Sequence, residues 1–219
     1  MRAVFEEMFK LDVDDDGLRF DLATLEVAPI REDQEYGGVR VTIDAYLTSA
    51  KIPLQIDVGC GDAVTPEAKE IEFPTLLEMP APNVKAYPRE TVVAEKLEAM
   101  TKLGIENSRM KDFYDVAVMA KRFAFHGAVL ARAIRATFER RATAIPTELP
   151  LALTSVFAGD KRKNEQWAAF VRKANVDDAG TLASTIAAVT GFLQKPLASA
   201  AANDAAWTAT WPAAGPWST

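Results

Sequence analysis

The sequence predicts an α+β protein, a small N-terminal sheet followed by helices, on two observations. Before position 60 the apolar residues alternate with period two, and after Tyr87 they recur at helical spacing. Leu18 to Val27 and Val39 to Leu47 are rich in strand formers and flank the polar, glycine-containing REDQEYGG, the pattern of a hairpin. In the second run Val39, Val41, Ile43, Ala45 and Leu47 share one face, and Arg40, Thr42, Asp44 and Tyr46 share the other. Ile52 to Val58 repeats the alternation with Leu54, Ile56 and Val58 inward, which leaves Asp57 near a strand end on the polar face. Glu70 to Pro82 contains three prolines, so at most a short edge strand and a loop are expected there. That stretch is the expected joint between a sheet region, 1–82, and a helical region, 83–219.

Pro88 suits a first helical turn and Glu90 complements its positive end, while Val93, Leu97 and Met100 form a stripe that stops at Gly104. Further helices are expected at Met110 to Phe123, Ala128 to Arg141, Lys161 to Lys173 and Thr181 to Leu193. The alanine-rich end carries three tryptophans, which favours docking on the body over free disorder.

Composition narrows the chemistry. The chain has 219 residues, is 49% hydrophobic and 26% charged, and can bury a core without staples. The lone Cys60 forms no internal disulfide and favours a reducing compartment, with the cytoplasm as default. The N-terminus is no signal peptide and no apolar run approaches a bilayer span, so no membrane is expected. A single histidine, His126, excludes multi-histidine metal sites, so chemistry would rest on carboxylates and lysines. A net charge of −6 means that RNA must be met by a local patch, with Arg140, Arg141 and Lys161 to Lys163 as candidates.

Three places invite chemistry. Asp57 offers a carboxylate to a hard cation, or is an ordinary solvated aspartate. Lys96 flanks the stripe of its helix and suits a triphosphate, or is a lysine whose stem alone is covered. Asp112 and Asp115 lie three apart on one helical face with Lys111 beside Asp115, which reads as a surface ion pair or as a means of orienting Lys96 from a neighbouring helix.

The run YPRETVVAEKLEAMTKLGIENSRMKDFYDV resembles the linked third and fourth motifs of the AbiEii/AbiGii toxin nucleotidyltransferases, which belong to the polymerase-β-like superfamily. LQIDVGCGDAVTP is similar to that family's second motif. The similarity covers roughly residues 1–145. It implies Asp57 as a magnesium or general-base carboxylate, Lys96 as a triphosphate ligand and Asp112 as a positioning carboxylate, with Arg109, Lys111 and Asp115 supporting the pocket. It also implies transfer of NMP from an NTP to an RNA, a tRNA 3′ end, in a toxin–antitoxin or phage-defence setting, with an antitoxin as partner.

The family's first motif, a Gly-Gly or Gly-Ser turn followed by Asp-x-Asp, is not found. GGVRVTIDAY has Gly37, Gly38 and Asp44 but places Tyr46 at the second carboxylate, and Asp12 to Asp16 reads as a polar loop. The resemblance puts that motif ahead of Met1, so the chain as given is expected to hold a metal pair poorly. The competing expectation is a non-catalytic nucleotide-binding or protein-interaction module, and a third is a helical scaffold unrelated to nucleotides.

Overall fold

The computed structural model describes residues 1–30, 38–59, 61–176, 178–204 and 206–218; Gly37, Cys60 and the rest of the 31–37 connection lie outside them. The fold is α+β, and its contacts divide it into Met1–Asp62 and Ala63–Thr219.

The first unit is an antiparallel meander of β1 (Leu18–Pro29), β2 (Val39–Leu47) and β3 (Ala50–Val58), preceded by a short helix, α1 (Arg2–Met8). Alternation sets the register: Val41 faces Ile56 and Ile43 faces Leu54, and their side chains join Phe5 and Leu25 in a small core. Leu47, expected on that core face, is 44% exposed, because it ends its strand beside the Thr48–Ser49 turn. The β1–β2 ladder shifts between Asp21 and Glu26. There the Thr24 hydroxyl donates to Asp21 O at 2.7 Å and accepts from Asp44 N at 2.9 Å, so the side chain takes the bonds that the ladder gives up.

The second unit opens with a hairpin of β4 (Lys69–Glu72) and β5 (Asn83–Ala86). The proline-containing stretch from 70 to 82 is thus a short strand and a loop inside this unit, and the division by contacts falls earlier, after Asp62. Then follow α2 (Arg89–Leu103), a 3-10 turn (Gly104–Glu106), α3 (Met110–Arg122), β6 (Phe125–His126) and α4 (Gly127–Arg140). After a second 3-10 turn (Leu151–Leu153) come α5 (Ser155–Gly159), α6 (Lys161–Ala174), α7 (Leu182–Ala202) and β7 (Thr210–Trp211). The expected stripes converge: Val93, Leu97, Met100, Phe113, Val116, Leu130, Ile134 and Phe138 are buried in one core with Ile186, Val189 and Leu193. Asp160 and Thr181 cap α6 and α7 by accepting from Lys163 N and Ser184 N.

α7 runs past the expected end at Leu193 and contains Pro196. Proline has no N–H to give the carbonyl four residues back, and that carbonyl, Phe192 O, accepts from Trp217 Nε1 at 2.8 Å. Ala120 O, in the last turn of α3, likewise accepts from Trp211 Nε1 at 2.7 Å and Ala214 N at 3.1 Å. The tail therefore docks by satisfying helix carbonyls, and Trp217 stacks on Phe192 with centroids 5.8 Å apart. No helix among the described residues is long and apolar enough to cross a membrane.

Candidate functional site

The 3-10 turn and the three residues after it fold α3 back on α2, which brings Lys96 of α2 against the first turns of α3. Lys96 Nζ lies 2.6 Å from Asp112 Oδ1 and 2.8 Å from Asp115 Oδ2. The i, i+3 spacing of the two aspartates puts both on the face that meets Lys96. Asp112 is buried, while Lys96 and Asp115 keep 16% and 22% of their side chains exposed. Two exposed cations flank them: Lys111 Nζ is 2.6 Å from Asp115 Oδ2 and Arg109 Nε is 2.9 Å from Asp112 Oδ2. The Arg109 contact is close but lacks hydrogen-bond geometry, so Asp112 Oδ2 is buried and accepts no hydrogen bond. Burial by itself would lower the Lys96 pKa; hydrogen bonds to Asp112 and Asp115 outweigh it and hold the ammonium above the ordinary lysine value.

Chemically, three cations and two carboxylates leave the cluster with one net positive charge. An ammonium has three donors, and Asp112 and Asp115 take two of them, so one remains for an anionic oxygen. Two clefts of about 590 and 460 Å³, beside α6 and between α3 and α7, are lined by neither Lys96, Asp112 nor Asp115.

In the first unit, Asp57 sits at the end of β3 off the core face, as its alternation requires. Its cross-strand partner is Arg40, whose guanidinium grips both carboxylate oxygens at 2.8 and 2.9 Å, with the Gln55 amide against the same pair. The Arg40 bond holds the Asp57 carboxyl below the usual carboxylate range. Alternation alone puts Arg40 on the polar face; its pairing with Asp57 needs the antiparallel register, which the sequence pattern did not supply. Asp44 pairs with Lys51 at 2.6 Å, and Asp15 and Asp16 accept from the backbone N–H groups of Gly17 and Leu18, as a polar loop would. Among the described residues no three His, Cys, Asp or Glu side chains gather as a metal site would need. With Asp57 bound on both oxygens, the described donor set does not fit a magnesium pair.

Sequence reasoning missed Glu98. Only 3% exposed, it accepts from Arg141 at 3.0 Å and from the Thr143 hydroxyl at 2.6 Å, while Arg141 also lies 3.4 Å from Glu95. These contacts tie α2 to the end of α4, and no local pattern signals them because the partners are more than 40 residues away. Of the candidates for an RNA-facing patch, Arg141 is paired with these glutamates and keeps 27% of its side chain exposed, and Lys163 is buried at 3%.

The family described as nucleotidyl transferase AbiEii toxin, type IV TA system, matches the chain over residues 1–189. No curated protein matches the chain, and no solved structure does. Since the match spans most of the sequence and includes every residue of the Lys96 cluster, the chain belongs to the AbiEii toxin nucleotidyltransferase family of type IV toxin–antitoxin systems.

Proposed function

We propose that the Lys96 cluster binds the triphosphate of an NTP and that the protein's reaction is NMP transfer to an RNA, with a tRNA 3′ end as acceptor. The observation that carries this reading is Lys96 fixed between two carboxylates of another helix, with Arg109 and Lys111 exposed beside it. A side chain held on both sides needs no reordering when phosphate arrives, and electrostatic catalysis depends on such preorganisation. In the transfer the acceptor hydroxyl oxygen bonds to the α-phosphorus, the α–β bridging bond breaks, and pyrophosphate leaves with the electron pair. Asp57 is the residue proposed to take the hydroxyl proton, and for that Arg40 must release an oxygen. The protein would work in the cytoplasm, in phage defence, restrained by an antitoxin.

The Arg40 grip on Asp57 favours a second reading, a nucleotide-binding module that transfers nothing. Labelled NTP and total tRNA separate the two. Incorporation that disappears in Lys96→Ala and Asp57→Ala supports transfer, whereas saturable NTP binding without incorporation supports the second reading.

A further inference from the structure

Lys163 is a cation in the wrong place for an ordinary surface residue. It stands in the first turn of α6, where the helix dipole disfavours positive charge, and it is buried. Among the described residues its ammonium has neutral hydrogen-bond partners and no carboxylate. Instead Nζ donates to Asn107 O at 3.0 Å and to Gln166 Oε1 at 3.3 Å, with the Phe157 ring centroid 5.4 Å away. A buried ammonium without an anion is costly, so its neutral partners bear on what it does. Asn107 is fully buried, and its side-chain oxygen accepts from Arg109 N at 2.8 Å, which shapes the entry to α3. Arg109 faces Asp112 Oδ2, and Asp112 Oδ1 holds Lys96.

We propose that Lys163 is a positioning residue for the Lys96 site: its ammonium holds the Asn107 carbonyl, and through Asn107 it sets the start of α3, and so Arg109 and Asp112, against Lys96. This rests on the reading of that cluster as the nucleotide site, but its geometric part can be tested without nucleotide.

The test uses the full chain with Lys163→Met, Asn107→Ala and Asn107→Ser, each at a temperature where circular dichroism shows it folded. Trace acylation of amines, read by peptide mass spectrometry, reports how firmly Asp112 and Asp115 hold Lys96, because only the neutral amine reacts. Losing the relay is expected to raise acylation at Lys96 about fivefold in Lys163→Met and Asn107→Ala, the effect of about one net hydrogen bond. Exposed Lys121 and Lys195 should not change. Asn107→Ser should stay near the unmodified chain, since a hydroxyl also accepts from the N–H two residues on. Adding Lys163→Met to Asn107→Ala should do nothing more. A Lys163→Met protein that melts early yet leaves Lys96 acylation unchanged would overturn the proposal, as would full additivity with Asn107→Ala. Should Lys163→Met fail to fold, equal acylation in Asn107→Ala and Asn107→Ser would overturn it. ATP titration is a separate arm: if Lys96→Met binds ATP with magnesium as well as the unmodified chain does, the nucleotide reading fails while the acylation result still stands.

Discussion

Replacing Lys96 by methionine keeps the apolar stem and removes only the charge. It leaves Asp112 buried without the donor on Oδ1 and Asp115 with Lys111 alone. Breaking a buried pair from one side costs about 3–5 kcal/mol. Lys96 keeps some exposure, and Arg109 and Lys111 remain beside the carboxylates, so the loss expected here is at the low end, about 3 kcal/mol. For a domain of this size that corresponds to a melting point lower by roughly 6–12 °C. All four tryptophans, at 167, 207, 211 and 217, belong to the second unit, so urea unfolding followed by tryptophan fluorescence reports on the unit that holds the site. Lys96→Met combined with Asp112→Asn and Asp115→Asn removes the stranded charges and should recover stability to within about 1 kcal/mol of the unmodified chain. A single variant within about 0.5 kcal/mol of the original, or a triple variant no better than the single, would refute the dependence of the carboxylates on Lys96.

Other expectations follow from the same geometry. Because Lys96 is raised in the folded state, its contribution is fully present below the unfolded lysine value and is lost as pH climbs through the folded one; stability of the second unit should lose this contribution only above about pH 10, as pH-dependent melting can show. Arg40→Ala should return the Asp57 titration, followed by carboxyl carbon NMR, toward the ordinary carboxylate range; an unmoved titration would mean that Arg40 does not hold it. Trp217→Ala removes a buried ring and leaves Phe192 O without its donor, so it should cost about 3–5 kcal/mol in urea unfolding, and a cost under about 1 kcal/mol would mean that the tail is not docked.

Much of this was legible in the sequence because it is local. Alternation over Val39 to Val58 sets the faces of β2 and β3, and helical spacing from Val93 onward sets the buried stripes. The short connection from α2 to α3 was enough to suggest that Asp112 meets Lys96. What escaped depends on partners far apart in the chain. Glu98 and Lys163 look like surface charges until Arg141 and Asn107 arrive. Pro196 looks like a helix end until Trp217 takes the carbonyl it frees. α1 has too few residues for its spacing to stand out, and only packing on β1 fixes it.

That the Lys96 cluster is a nucleotide site is tested most directly by titrating ATP with magnesium into the unmodified chain and into Lys96→Met, at a temperature where tryptophan fluorescence shows both folded, so that binding is separated from folding. Affinity at least about tenfold weaker in Lys96→Met is the result predicted, from losing a charge-assisted contact to phosphate. Equal affinity in the two proteins would contradict it.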